Sequence, residues 1–201
     1  LNQDLFLERQ CGYRAPGAPR FPDNFYGRGG GNLETSDFVA LNNASDIASI
    51  VEGEIESHAG AAYIKLHGSY GWLSADGVHR MIIGKNKLED IESVPLLKSY
   101  FEIFRRTLLR ENVRILIIGY GFQDEHINKV LLEAVERYKT EIFVINPADL
   151  GSFVKVLTDS PSPCSNLLKG LHGYYPNILK DIFPPNQNFT PLFENLLKSL
   201  T

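Results

Sequence analysis

An α/β domain built on a parallel sheet is the fold class this sequence predicts, and three observations carry it. Residues 113–118 and 142–145 are nearly continuous apolar runs, the pattern of strands buried on both faces of a parallel sheet. Two amphipathic helical patterns alternate with them, so helix, strand, helix and strand follow in the order of a right-handed crossover unit. Each run stops at strand-breaking residues, Gly119-Tyr120-Gly121 and Asn146-Pro147.

Taken in order, residues 1–9 read as the tail of a buried strand entering a helical turn, with Leu5, Phe6 and Leu7 on the apolar side. Residues 10–32 mix Gly and Pro with Arg14, Arg20 and Arg28, which predicts a loop or irregular insertion. Gly29-Gly30-Gly31 has no following Lys-Ser/Thr, so a phosphate-loop reading has no support. Residues 45–57 have no clear period. Residues 63–66 predict a strand, broken at Gly68, and residues 81–84 a second short one. Pro95 opens a helix over 95–111, whose buried stripe is Leu97, Tyr100, Phe101, Phe104 and Leu108. After the strand at 113–118, Asp124 is placed to cap a second helix with Ile127, Val130, Leu131, Ala134, Val135 and Tyr138 inward. Beyond residue 150, helical spacing recurs at 166–170 and 192–200, around a Pro/Asn-rich stretch at 183–186. The expected organisation is one nucleotide-binding domain over 1–150, with an insertion at about 10–60, and a helical extension of it over 151–201.

Composition narrows the function. The net charge of -4 argues against a nucleic-acid groove, which wants a basic stripe. No apolar run approaches the ~20 residues of a membrane span, and without a signal peptide the default address is cytoplasmic. Cys11 and Cys164 lie far apart and read as isolated thiols in or near the core. The opening Leu1-Asn2-Gln3-Asp4 has no initiator methionine and reads as a strand end cut from its strand, so a βα unit is expected upstream.

Four clusters are expected at one edge of the sheet: Asn2 with Asp4, His67 with Gly68 and Ser69, the stretch 119–126, and Asn146. His67 can exchange a proton near neutral pH, its ordinary pKa being about 6.5, or can serve as a structural hydrogen-bonder. Glycines admit a ligand close to the backbone, and asparagine bonds ribose hydroxyls. Asp124 and Glu125 in a first helical turn would repel phosphate, so this turn is expected to meet a ribose or base. Asp124 and His126 each read equally well as ligand contacts or as an ordinary cap and first-turn residue.

These motifs resemble the sirtuin superfamily, in its SIR2-like branch of bacterial anti-phage defence proteins. Leu1-Asn2-Gln3-Asp4-Leu5 is similar to its Thr-Gln-Asn-Ile-Asp-type motif, and Leu66-His67-Gly68-Ser69 to its catalytic histidine segment. Gly119-Tyr120-Gly121-Phe122 with Asp124-Glu125-His126-Ile127-Asn128 resembles its nucleotide-binding turn, and Val144-Ile145-Asn146-Pro147 its late strand. The resemblance implies a Rossmann-like domain that takes NAD as substrate and breaks the nicotinamide–ribose bond. It implies that His67 acts as general base toward a ribose hydroxyl. Asn2 would position the water or the nicotinamide ribose, with Asp4 supporting it, and His67 and Asn2 would meet over the sugar. Gly68, Ser69, Gly119, Tyr120, Gly121, Phe122, Asp124 and Asn146 would bind the dinucleotide, with Gly119, Tyr120 and Asn146 on the adenosine half. The family's Gly-Ala-Gly-x-Ser pyrophosphate turn is not in the 201 residues and is expected upstream. The two cysteines cannot make the zinc module of protein-deacylating sirtuins, so no metal is expected. The favoured reading is therefore an NAD hydrolase, an effector held off until a partner or nucleic-acid sensor triggers it, with a homo-oligomer or a partner defence protein as the expected assembly. A non-catalytic NAD or ADP-ribose sensor comes second, and a protein deacylase third.

Overall fold

The computed structural model describes residues 25–26, 61–62, 64–73, 79–84, 86–159, 164–184 and 190–201. Asn2, Asp4 and the run 45–57 lie outside them, as do Cys11, Arg14, Arg20 and Arg28. The chain divides into two compact units, residues 1–104 and 105–201.

In the first unit, β1 (Phe25–Tyr26) pairs in parallel with β2 (Ala61–Ala62), so the stretch expected to be loop carries a short strand. The strand expected at 63–66 is corrected. Residues 64 and 65 are outside any strand, Leu66 and His67 form a turn, and β3 (Gly68–Leu73) starts after the histidine. Gly68 has a φ of +72°, a conformation only glycine takes without strain, and its N–H closes the turn on the Lys65 carbonyl at 3.2 Å. The partner strand β4 (His79–Met81) runs antiparallel to β3 and precedes most of the apolar run that predicted it. Helix α1 (Lys87–Ser93) buries Ile91 completely.

Helix α2 (Pro95–Leu108) begins at the expected proline. Leu97, Tyr100, Phe101 and Leu108 are buried as their spacing requires, joined by Leu96 and Ile103. It ends three residues short of the expected Glu111. Asn112 then takes a φ of +61°, which asparagine tolerates better than most residues, and turns the chain into the next strand.

The second unit holds a parallel sheet in the order β5 (Arg114–Ile118), β6 (Glu141–Ile145), β7 (Leu171–Tyr175). With its flanking helices it is an α/β, Rossmann-like arrangement. Between β5 and β6 runs α3 (Glu125–Tyr138), with Ile127, Val130, Leu131, Ala134 and Val135 buried as expected. Between β6 and β7 lie α4 (Leu150–Asp159) and a 3-10 helix (Ser165–Gly170). Cys164, fully buried just before that helix, fulfils the core-thiol expectation, and burial raises its thiol pKa. Two short helices finish the chain, α5 (Leu179–Ile182) and α6 (Pro191–Leu200). Thr190 caps α6, accepting from the Phe193 N–H at 3.1 Å and donating to the Ile182 carbonyl at 2.9 Å.

Two expectations change here. Among the described residues β5 pairs with β6 alone, and Ile118 is 43% exposed, so only β6 has the all-buried character expected of both strands. The C-terminal region is also not wholly helical, because β7 lies within it. Leu171-His172-Gly173-Tyr174-Tyr175 carries a histidine and a glycine that mute a strand pattern. The glycine is a packing requirement: a Cβ on Gly173 would stand 2.6 Å from the Phe143 ring on the neighbouring strand.

Candidate functional site

The parallel register sets Ile118 opposite Ile145, so β5 and β6 deliver Gly119 and Asn146 next to one another at their C-terminal ends. Such ends are where open α/β sheets bind ligands. Gly119 has a φ of +63°, and among the described residues nothing comes within 4 Å of the place a Cβ would occupy there. Gly121 is exposed beside it.

Phe122 makes the turn unusual. It too is left-handed, with a φ of +55°, a position that costs a residue with a side chain roughly 1–2 kcal/mol. Its ring is 1% exposed and stacks on Tyr120 (centroids 4.7 Å) and edge-on against Phe153 (5.5 Å). Burying such a ring contributes about 1.5–3 kcal/mol, enough to offset the backbone cost. Asn128, inside the first turns of α3 and 1% exposed, ties the segment together. Its Nδ2 donates to the Phe122 carbonyl at 2.8 Å, and its Oδ1 accepts from the Tyr120 hydroxyl at 2.8 Å. The same hydroxyl lies 3.2 Å from the Asp124 carbonyl. Burial, then the charge of Asp124, pushes the Tyr120 pKa well above the ordinary tyrosine range, so the hydroxyl remains a donor. That hydroxyl is held within the protein, which leaves the ring and backbone of Tyr120 for any ligand.

Asp124 occupies the expected cap position of α3, but its side chain makes no capping hydrogen bond to the helix. His126 is buried at 7% exposure, which removes the reading of it as an exposed first-turn residue. Glu125 is exposed, with a pKa lowered chiefly by its 2.8 Å bond to Lys129.

After β6, Asn146 folds its own turn: its Oδ1 accepts from the Ala148 N–H at 2.9 Å, and its N–H donates to the Tyr175 carbonyl at 3.1 Å. Asp149 then caps α4, accepting from the Ser152 N–H (2.9 Å) and hydroxyl (2.6 Å), which lowers its pKa. Tyr174 on β7 donates to the Ala148 carbonyl at 2.7 Å and stacks on Phe153 at 4.9 Å, so one aromatic chain links both turns.

In the first unit, His67 is 3% exposed and its carbonyl accepts from the Ile82 N–H at 2.8 Å. Gly68 is buried next to it and Ser69 lies within β3.

A family model described as a SIR2-like domain matches residues 33–164, about two thirds of the chain. The chain belongs to this SIR2-like family. The matched range contains His67, Gly68 and Ser69, the whole of 119–128, and Asn146, and it begins after Asn2 and Asp4. SIR2-like domains act on NAD, which ties this one to NAD-related chemistry within the sirtuin superfamily. No curated protein and no solved structure matches the chain. Among the described residues no helix is long and apolar enough to cross a membrane.

The sequence reading missed two contributors. Asn128 stands within the family motif but carries no role there, since nothing in its neighbours signals that it turns inward to bond the preceding turn. Asp149 followed Asn146-Pro147-Ala148, and a Ser three residues later was the available signal of a cap.

Proposed function

We propose that this SIR2-like domain is an NAD+ hydrolase that cleaves the nicotinamide–ribose bond, serving as a regulated effector of anti-phage defence. The observation that carries the nucleotide half is the paired ends of β5 and β6, with Gly119 uncrowded among the described residues and a carboxamide at Asn146. The Oδ1 of Asn146 is used in its own turn, so its Nδ2 is the group offered to a ribose oxygen. Acidic residues stand at the starts of both following helices, Asp124 with Glu125 and Asp149. Negative charge there favours a ribose or base over a phosphate, in keeping with an adenosine half at this edge.

The catalytic roles rest on the resemblance; the family match contains His67 and begins after Asn2 and Asp4. His67 is the general base toward a ribose hydroxyl, raising electron density on the sugar as the bond to nicotinamide lengthens. Asn2, supported by Asp4, orients the water that takes the place of nicotinamide. The reaction consumes one water and yields nicotinamide, ADP-ribose and a proton.

The decisive experiment follows NAD loss and nicotinamide release by the full-length protein, alongside His67→Ala and Asn2→Ala. Turnover that falls at least a hundredfold in both variants is expected, as for removal of a general acid–base group. Equal turnover in all three would remove these residues from the mechanism. ADP-ribose binding without any turnover under activating conditions would make the domain a sensor instead.

A further inference from the structure

We infer that Asn128 is the positioning residue of the nucleotide turn, holding residues 119–122 in their binding shape before a ligand arrives. This rests on the reading of that turn as the adenosine site. A left-handed phenylalanine three residues after a left-handed glycine is not a conformation the segment keeps by local preference, because Phe122 would relax toward negative φ in a free loop. Three contacts oppose that relaxation. The Phe122 ring is sealed against Tyr120 and Phe153, its carbonyl is held by Asn128 Nδ2, and the Tyr120 hydroxyl is held by Asn128 Oδ1. Two of the three pass through one buried carboxamide on a rigid helix, which therefore sets the outward presentation of Gly119 and Gly121. The shape is specific to asparagine. Aspartate lacks the donor for the Phe122 carbonyl and brings a buried charge, and leucine has neither function.

Holding the turn ready lowers the ordering cost of binding, so loss of the carboxamide is read as lost affinity. The test uses the full-length protein and ADP-ribose as the probe, by calorimetry, for the wild type, Asn128→Ala, Tyr120→Phe and Thr190→Ala. Thr190 caps α6 and serves to match the loss of thermal stability. Hydrogen exchange of the amides at 119–124 is measured on the same four proteins without ligand. Asn128→Ala is expected to weaken ADP-ribose binding by roughly tenfold or more, with faster exchange confined to that segment, and Tyr120→Phe to do the same to a smaller degree. Thr190→Ala is expected to bind as the wild type does. Unchanged affinity in Asn128→Ala, or an equal loss in Thr190→Ala, overturns the proposal. If Asn128→Ala does not fold, Tyr120→Phe decides: unchanged affinity and exchange overturn the lock. A wild type that does not bind ADP-ribose overturns the nucleotide role altogether, while the exchange arm still shows whether the carboxamide orders the turn. The two failures are therefore distinguishable.

Discussion

The turns that leave β5 and β6 stand side by side, yet they are stabilised by opposite means. The first is held from within: Asn128, almost fully buried, bonds a left-handed Phe122 and the Tyr120 hydroxyl across a spacing of six and eight residues. In the second the side-chain ties are local and nearer the surface, alongside two bonds with β7, the Tyr174 hydroxyl to the Ala148 carbonyl and the Asn146 N–H to the Tyr175 carbonyl. Asn146 bonds the backbone two residues on, and Asp149 bonds Ser152 three residues on, both in ordinary turn and cap patterns. A buried polar tie leaves an unsatisfied group in a dry environment when cut, whereas an exposed one is replaced by water. The side-chain tie of the first turn should therefore be intolerant of substitution, and those of the second more tolerant of it.

Four measurements would break or sharpen that contrast. The largest effect is expected from Asn128→Ala, which strands the buried Phe122 carbonyl and should cost about 2–3 kcal/mol in urea unfolding. A cost under half a kcal/mol would mean that the first turn is not held by this residue. Tyr120→Phe should cost less, about 1 kcal/mol, since one hydroxyl shared between Asn128 Oδ1 and the Asp124 carbonyl is lost and Asn128 keeps its bond to the Phe122 carbonyl. For Asn146→Ala, in the half-buried second turn, a loss near 0.5 kcal/mol is the expectation in the same experiment. A loss matching that of Asn128→Ala would erase the difference between the turns.

The smallest effect concerns pH. Ser152→Ala removes the hydroxyl and disturbs the cap that depresses the Asp149 pKa, so an NMR titration should show that pKa rising back toward its ordinary 3.8. The sign follows from the depressed native value. Whatever stability the cap supplies is complete above the unfolded pKa and disappears as pH falls through the folded one. The wild type should therefore lose this contribution in acid below about pH 4, and the variant should show a flatter profile there. An unchanged Asp149 titration in Ser152→Ala would show that the cap is not what lowers it.

How much of this was legible beforehand depends on the range of the forces involved. Helices α2 and α3 were readable because their buried stripes repeat within a few residues, and Pro95 marks its own start. β5 and β6 were readable as apolar runs, but the weaker burial of β5 was not. Nothing within residues 114–118 encodes how its two faces are covered. β7 was hidden because its glycine is dictated by Phe143, a residue some thirty positions away. The strand near His67 was displaced for a related reason. Ile64 and Leu66 have strand propensity, yet the left-handed Gly68 makes a turn of the residues before it and lets the strand begin afterwards.

By itself, then, the sequence determined the α/β class, the alternation of helices and strands from Pro95 to Ile145, and the family motifs around His67, Gly119 and Asn146. These are properties of short windows, set by periodicity and by residue chemistry. Only the tertiary structure decided which strand lies between the other two among the described residues, that Leu171–Tyr175 joins the sheet, and that Asn128 ties the first turn. Each of those depends on groups that meet through folding rather than through adjacency, where burial raises the worth of one hydrogen bond or excludes one methyl group.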